Sequence, residues 1–508
     1  MKPRVWHGAL AGALFTAPLI AVSYLGWIAA GLPFTPFDLF DWVARVLPGS
    51  VVTFGIETMV AIGRAFEVSS IGAAAKTGEQ TAAIAGMFLL GVAGGAVFFA
   101  LLRFSDEPAL MLGAIVGGML GGVVLVIEQQ LGRIATGAPG SGPWVFVTFL
   151  AWGAALGWAY DQLRDADAGT SDALALGTAT GRRRFLIQLG GTTITTTFAA
   201  TALGVLAAAR NDSLIGGRWS DTHPLPNADS PVAPVPGTRP ELTPLDRHYR
   251  IDTNTRAPQI DSGQWRLSVG GLVQRPLAFN LDELRQHEPM HQFITLACIS
   301  NPTGGDLIST TRWTGVSLKR LLPELILNPA ATHLRITSAD GFSESVAIET
   351  IRSDERIMLA YAWDGVPLPA EHGFPLRIYI PDLYGMKQPK WIVAIDAVDH
   401  WEPGYWVARG WDREGRVAIT SVVDVVAAGP MAEVGGIAHT GSRGVSKVEV
   451  RVDDGEWQPA QLRDPLSATA WVIWRATIAV TQGDHVFAVR AFDGAGQPQT
   501  AGFHTRSS

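Results

Sequence analysis

Four stretches in the first third of the chain are almost entirely apolar. Each is close to the roughly 20 residues that a helix needs to cross the hydrocarbon of a bilayer. They cover about residues 8–31, 82–102, 108–127 and 143–161. A further stretch, 42–66, is interrupted by charged residues and a proline, namely Arg45, Pro48, Glu57 and Arg64. We predict four membrane-spanning helices and, at 42–66, an interfacial or re-entrant helix.

The apolar stretch at 181–210 begins with the motif RRRFL at 182–186. This motif resembles a twin-arginine export signal, which carries folded, cofactor-loaded domains across a membrane. The alternative is a stop-transfer helix with a basic cytoplasmic flank. Both hypotheses place the arginines in the cytoplasm and the chain after residue 210 outside, and Lys2, Arg4 and Arg103 fit the same orientation. We predict a fifth, uncleaved membrane anchor.

After residue 245, apolar and polar residues alternate with a period of two. Stretches such as WRLSVGGLV, FITLACIS and PLRIYIP predict strands, and NLDELRQ and SLKRLLPEL predict short helices between them. After about residue 420 the strands are separated by turn residues, as in a small β-sandwich. Residues 222–244 are rich in proline and lack hydrophobic periodicity, which predicts an extended spacer.

These patterns predict an N-terminal α-helical membrane bundle, an α+β domain and a C-terminal β-sandwich. The predicted parts are a transmembrane region at 1–180, an anchor helix at 181–210, a linker at 211–244, an α+β domain at 245–415 and a sandwich at 416–508. Composition agrees with this division, because hydrophobic residues make up 47% of the chain and charged residues only 17%.

Charge and histidine content exclude several classes of function. The net charge is -7 and no basic stretch is interleaved with aromatic residues, so we expect no nucleic-acid partner. Only His7, of eleven histidines, lies in or beside the apolar stretches. Because a transmembrane haem needs axial ligands from the bundle, we expect no haem there.

Cys298 is the only cysteine of the 508 residues, and it ends the apolar run FITLAC. One thiolate without a cysteine or histidine at ligand spacing excludes zinc and iron–sulfur sites. If Cys298 binds a metal, the other ligands come from outside the protein, as for a molybdenum held by the dithiolene of a pterin. The alternative is a buried thiol that packs as a small hydrophobic group.

Four segments of this half resemble the sulfite oxidase family of molybdopterin enzymes. They are HYRIDTNTRAPQIDSGQWRL at 248–267, LACISN at 296–301, STTRWTGVSLKRLL at 309–322 and LAYAWDGVPLPAEHGFPLRIYIPDLYGMKQPKW at 359–391. They occur in the family's order, and with the C-terminal sandwich they cover about half of the chain. The resemblance implies a molybdopterin-binding α+β domain of the sulfite oxidase type and an Ig-like sandwich that pairs two chains.

The resemblance also implies roles for individual residues. Cys298 matches the cysteine that ligates molybdenum, and Arg250 and Tyr361 match residues beside the transferring oxygen. His372 and Arg377 match ligands of the pterin phosphate, a dianion that needs fixed cationic donors. The other implied cofactor-binding residues are Asn301, Asp340, Lys387 and Lys390, together with Arg250 and Cys298. Each has a structural alternative, such as a core aromatic for Tyr361 or an outward strand residue for Arg377.

Two departures from the family concern the substrate. Sulfite-oxidising members have an arginine after the asparagine, whereas this chain has Pro302. Val472 stands where a second arginine from the sandwich would reach the same pocket, and Arg475 comes three residues later. A dianionic oxyanion in a low-dielectric pocket needs cationic partners. The family's haem domain also has no counterpart, which predicts a separate electron carrier, either cytochrome c or quinone-linked.

We therefore expect a multi-pass enzyme of the cell membrane whose catalytic domain lies on the extracytoplasmic side. It would contain Mo-molybdopterin, without haem, iron–sulfur cluster or zinc, and would transfer an oxygen atom to or from a small molecule. Sulfite oxidation follows from the family, whereas the lost arginines favour reduction of an S-oxide or N-oxide. The alternatives are a non-catalytic surface scaffold and a quinone-binding or transport role for the bundle.

Overall fold

The computed structural model describes residues 3–65, 71–105, 107–132, 138–168, 197, 217–427 and 429–500. They form two compact units. The first contains the described residues of Met1–Leu47, Lys76–Ser213 and Thr253–Arg256, and the second those of Pro48–Ala75, Leu214–Asp252 and Ala257–Ser508. The predicted twin-arginine helix lies outside the described residues except at Thr197.

Helices account for the N-terminal part. They are α1 (Val5–Ala30), α2 (Thr35–Val46), α3 (Gly49–Ala65), α4 (Ile71–Leu102), α5 (Ala109–Gln130) and α6 (Ser141–Ala168). Within the described part of the chain, four helices are long and apolar enough to cross a membrane: Val5–Ala30, Ala75–Leu102, Ala109–Gln130 and Ser141–Arg164. The prediction of four apolar helices is confirmed.

The hydrophobic pattern predicted one helix at 42–66, but the structure has two. α2 ends at Val46 and α3 begins at Gly49, with Leu47 in an extended conformation between them. Pro48 explains the break, because proline disfavours helical backbone at the preceding residue. The two helices also belong to different units, α2 to the first and α3 to the second.

Two sheets and three short helices form the α+β region. The first sheet has the strand order β2 (Leu277–Phe279), β1 (Leu267–Gly271), β10 (Ile392–Val398), β5 (His333–Ser338), β6 (Ser343–Ala347), with β1 and β10 parallel. The second has the order β3 (Met290–Ala297), β4 (Ile308–Ser317), β7 (Met358–Trp363), β8 (Val366–Pro367), and β9 (Arg377–Tyr379) also pairs with β7. The helices are α7 (Leu281–Gln286), α8 (Leu318–Leu325) and α9 (Ile348–Ser353).

A four-stranded and a three-stranded antiparallel sheet follow. Their strand orders are β11 (Thr420–Ala427), β12 (Met431–His439), β16 (Val472–Ala479), β15 (Gln461–Leu462) and β14 (Gln458–Pro459), β13 (Val445–Val452), β17 (Phe487–Asp493). Both sheets contribute to one core, in which Val434 and Trp474 pack with Val448, Val450 and Ala491. The Ig-like classification and the pairing of two chains stay predictions.

The predicted spacer is held along the C-terminal sheets rather than standing free. Arg239 forms a bidentate ion pair with Asp424 of β11 at 2.6 to 3.0 Å. Arg463 donates hydrogen bonds to the carbonyl groups of Asn227 and Val232. Proline-rich backbone leaves its carbonyl groups without partners in a sheet, and Arg463 supplies donors to two of them.

Candidate active site

The loop that contains Cys298 joins β3 to β4. Ala297 and Ile308 are paired in these antiparallel strands, so residues 298–307 leave the sheet and return to it. The Cys298 N–H donates to the Leu307 carbonyl at 2.9 Å, and the Asn301 N–H donates to the Cys298 carbonyl at 3.0 Å. The side-chain oxygen of Asn301 accepts from the Leu307 N–H at 2.9 Å. Asn301 therefore holds the cysteine loop closed.

Cys298 is half-buried, and desolvation raises the pKa of its thiol while hydrogen bonds from Ser300 oppose that rise. Two tyrosines lie near enough to interact with it electrostatically. Burial and then the nearby Cys298 raise the pKa of Tyr249, and Cys298 also contributes to the raised pKa of Tyr384. Both phenols are thus protonated hydrogen-bond donors at neutral pH.

A buried cationic cluster lies among aromatic rings on the same side of the second sheet. Arg377 is only 3% exposed, and its guanidinium carbon is 4.7 Å from the Trp313 ring centroid and 5.5 Å from that of Trp363. The rings of His248 and His372 have centroids 5.2 Å apart, and both contact Trp363. Arg377 donates a hydrogen bond to the carbonyl of His372 at 2.9 Å.

Arg250 and Lys390 share one buried carboxylate beside this cluster. The side chain of Asp252 is 1% exposed and lies 2.9 Å from Arg250 Nε and 3.4 Å from Lys390 Nζ. Lys390 also donates to the carbonyl groups of Ile251 and Glu371. Asp252 thus fixes two of the predicted cofactor-binding cations in one place.

The pKa values show that these groups act on one another. Burial, followed by Arg377, lowers the pKa of His248 to about 3. Burial lowers the pKa of His372 well below its usual range, and His248, Lys390, Arg377 and Arg250 lower it further. Both imidazoles are therefore neutral at pH 7, whereas Arg377, with a pKa lowered by burial to about 10, stays charged. The cluster has an excess of positive charge that an anionic ligand would balance.

Residues 254–406 match the oxidoreductase molybdopterin-binding domain family. These residues therefore belong to that family of molybdopterin-binding domains, and the relatives of the chain include nitrate reductases and sulfite oxidases. Nitrate reductase [NADH] 2 of Phaseolus vulgaris is 26% identical over 355 residues, which are 56% of this chain and 39% of that protein. Sulfite oxidase of Arabidopsis thaliana is 26% identical over 324 residues, 51% of this chain and 82% of that one. A proposed protein-methionine-sulfoxide reductase subunit of Azospira oryzae, YedZ1, is 29% identical over 240 residues, which are 46% of this chain and 86% of that protein.

The chain thus spans about two fifths of the length of the nitrate reductase that it matches. The residues of its molybdopterin-binding domain fit an anionic pterin phosphate. Among the described residues, two buried guanidinium nitrogens of the cluster have no hydrogen-bond partner: Arg250 Nη2 and Arg377 Nε. Unpaired buried donors are costly, and a phosphate would supply the oxygens that satisfy them.

Three predicted site residues lie in other surroundings. Tyr361 is in the core formed with α7 and α8, on the face of β7 opposite Ala360 and Trp363, and the guanidinium carbon of Arg285 lies 5.6 Å from its ring centroid. Lys387 forms a buried ion pair with Glu344 at 2.8 Å and donates to the Arg413 carbonyl. Asp340 is buried in the turn between β5 and β6, where it accepts from the Phe342 N–H. The roles predicted for these residues stay predictions.

Sequence reasoning missed His248, Tyr249 and Tyr384. The pair His248-Tyr249 directly precedes Arg250 in the segment HYRID, and this adjacency was a usable signal. Tyr384 lies in the segment LYGMKQPK, and the two lysines of that segment were the residues predicted to bind the cofactor. Their importance depends on their distance from Cys298, which the order of residues does not express.

Proposed function

We propose that the protein is a membrane-anchored oxygen-atom transferase that reduces a neutral S-oxide or N-oxide on the extracytoplasmic side. Bound molybdenum-molybdopterin supplies the two-electron oxygen-atom chemistry. Cys298 would ligate the metal, and Arg377, Arg250, Lys390 and the two neutral imidazoles would hold the pterin phosphate. In the overall reaction the S–O bond breaks, and two electrons and two protons yield a thioether and water.

The apolar side chains around the cysteine loop support the proposal of a neutral substrate. Ile299 packs with Met386 and Trp411, and Tyr384 and Trp406 adjoin this cluster. On the other side, Ala297 packs with Val422 and Trp471. A neutral S-oxide can bind such a surface, whereas a sulfite dianion would be desolvated without compensation.

The arginines nearest this region are engaged elsewhere. Arg475 pairs with Glu433 at 2.6 Å and donates to the Ala233 carbonyl, away from the position predicted for a substrate-binding arginine. Arg443 influences the pKa of Tyr384, but it lies 3.4 Å from the carboxylate of Asp493 and donates to the Val417 carbonyl. Tyr249 and Tyr384 are the protonated groups suited to donate a hydrogen bond to the departing oxygen.

Electrons would come from a separate carrier of the quinol or cytochrome class. Sulfite oxidation is the second candidate, and the similarity to a sulfite oxidase over 82% of that protein favours it. In that direction water supplies the oxygen atom and the carrier accepts two electrons.

The test uses the full-length protein from a host that makes and inserts the cofactor. We expect about one molybdenum and one pterin per chain, and dimethyl sulfoxide reduction with a reduced viologen at a higher kcat/KM than sulfite oxidation with ferricyanide. Cys298→Ser should abolish turnover, while Ser446→Ala, a change in β13 of the C-terminal sheets, should not. Faster sulfite oxidation would establish the second candidate, and a chain without molybdenum and pterin would leave the scaffold hypothesis.

A further inference from the structure

His439 is a buried histidine of the second unit to which the proposed function gives no role. It ends β12 and is 2% exposed, and among the described residues neither of its ring nitrogens has a hydrogen-bond partner. A neutral imidazole has one N–H donor and one acceptor nitrogen, and burying both without partners costs free energy. Since buried polar groups are as a rule hydrogen-bonded, this imidazole points to a ligand.

The strand places His439 on the side of the cysteine loop. Ala438 packs in the core between the two C-terminal sheets, whereas Ile437 belongs to the cluster that contains Ala297. β12 pairs with β16 without a register shift, so successive side chains of β12 alternate between the two faces. His439 therefore shares the face of Ile437. Because Ala297 directly precedes Cys298, this is the face of β12 that adjoins the start of the cysteine loop.

The turn after β12 is bonded to the segment that contains Tyr384. The carboxylate of Asp382 accepts from the Ser442 N–H at 2.5 Å and from the Ser442 hydroxyl at 2.7 Å. Arg443 acts on both aromatic groups: after burial it is the next cause of the lowered pKa of His439, and it opposes the rise that burial causes in the pKa of Tyr384. These contacts hold the end of β12 beside the Tyr384 segment.

The charged groups near the imidazole are engaged with other partners. Arg443 donates to the Val417 carbonyl at 2.8 Å and lies 3.4 Å from the carboxylate of Asp493. Burial lowers the pKa of His439 to about 4, so the imidazole is neutral at pH 7. A neutral N–H can satisfy the oxygen of an uncharged ligand, whereas a dianion in the same place would need a cation.

We propose that His439 is a specificity-determining residue of the substrate pocket, where its ring N–H donates a hydrogen bond to the oxygen of an S-oxide or N-oxide. It would act with the phenol of Tyr384, which the proposed function assigns to the same oxygen. The C-terminal sheets then take part in substrate recognition. This inference rests on the proposed function, because it concerns the neutral class of substrate.

The test compares two variants with wild type as full-length, detergent-purified holoenzymes. His439→Leu removes the donor, and His439→Gln keeps an uncharged N–H. In His439→Leu we expect the KM for dimethyl sulfoxide to rise about tenfold through the loss of one hydrogen bond, with kcat within about twofold of wild type. The dissociation constant of dimethyl sulfone, measured by calorimetry without turnover, should rise equally. His439→Gln should stay within about threefold of wild type, and molybdenum and pterin content should not change.

Ser421→Ala is the matched control. Ser421 is buried in β11 opposite Ala438, and its hydroxyl donates to the side chain of Gln499 at 2.5 Å on the other face of this sheet. We expect wild-type KM and sulfone binding in this variant. An unchanged KM and dissociation constant in His439→Leu would overturn the inference, and so would an equal rise in Ser421→Ala.

A second variant covers the case in which His439→Leu does not fold. His439→Phe keeps an aromatic ring without nitrogens, and the same two constants decide. Failure of the proposed function is distinguishable, because it would be seen in wild type. A holoenzyme that neither reduces dimethyl sulfoxide nor binds dimethyl sulfone would overturn both, whereas a wild type that does so with an unchanged His439→Leu would overturn only the role of His439.

Discussion

Arg377 shows how the fold holds one charged side chain in a fixed orientation. Its guanidinium lies near the rings of both Trp313 and Trp363, and one nitrogen donates to the His372 carbonyl. Burial lowers its pKa only to about 10, so it stays charged. A buried guanidinium of fixed orientation suits bidentate recognition of phosphate.

Arg377→Gln should therefore lose the cofactor rather than the fold. The amide keeps hydrogen-bonding capacity but removes the charge that balances the phosphate, and we expect molybdenum and pterin per chain to fall at least about tenfold. Arg320→Gln is the control, because Arg320 is a surface residue that pairs with Glu288 and Glu355. Metal analysis and pterin fluorescence measure the result. Full cofactor content in Arg377→Gln would contradict the assignment.

His439 should make the C-terminal sheets sensitive to acid. It is 2% exposed, and among the described residues neither ring nitrogen has a hydrogen-bond partner. Burial, with a further contribution from Arg443, lowers its pKa from 6.5 to about 4. As the pH falls below 6.5, this imidazole is protonated in the unfolded chain but stays neutral in the folded protein. The free energy of unfolding therefore decreases between pH 6.5 and about 4.

Acidification should lower the free energy of unfolding of His439→Gln by roughly 1–3 kcal/mol less than that of wild type. Thermal unfolding midpoints at pH 7.5 and 5 would measure it, with His400→Gln as control because that side chain is 65% exposed. Equal pH dependence in wild type and His439→Gln would show that the imidazole is not responsible.

Several of the clustered residues could be predicted from the sequence at this scale. Arg377, His372, Arg250 and Lys390 were predicted from the family resemblance, and the structure brings them together. Lys387 was also predicted to bind the cofactor, but its ammonium group is paired with Glu344. Whether a lysine faces a ligand or an internal carboxylate depends on neighbours far away in the chain, which a motif does not contain.

At the scale of elements, glycines determine how α5 and α6 pack. A Cβ at Gly117 would lie 2.3 Å from the Phe149 carbonyl oxygen, and one at Gly153 would lie 2.2 Å from the Gly113 carbonyl oxygen. The backbones of the two helices are therefore in direct contact, as small residues allow in membranes. The glycine content of the two helices is compatible with close packing, but it does not identify which glycines form the contact.

Gly117→Leu should separate this helix pair and destabilise the bundle by roughly 1–3 kcal/mol or more, because backbone atoms cannot move aside as a flexible side chain can. Gly122→Leu on the same helix is the control, since no described atom lies within 4 Å of a Cβ built there. The measurement is the midpoint temperature of thermal aggregation in detergent, compared between Gly117→Leu and Gly122→Leu. Equal midpoints would show that the contact is unimportant.

At the scale of the whole molecule, the side of the membrane on which the catalytic half lies is a prediction. Because the sequence has a single cysteine, replacing it allows one introduced thiol at a time to be labelled. In a Cys298→Ser background, Asp282→Cys offers a thiol on a side chain that is 85% exposed. A membrane-impermeant maleimide should label it in intact cells or spheroplasts, because the catalytic half is expected outside. Glu107→Cys lies in the loop after Arg103, which is expected inside, and should be labelled only after lysis. The reverse pattern would invert the topology.

Local chemistry along the chain determined the four apolar helices, the strand alternation after residue 245 and the family, because each depends on neighbouring residues or short motifs. Tertiary structure alone decided that α2 and α3 belong to different units, that Asp252 unites Arg250 with Lys390, and that Lys387 pairs with Glu344. These arrangements join residues that are distant in the chain. Buried charges impose them, since each must find a partner wherever the fold provides one.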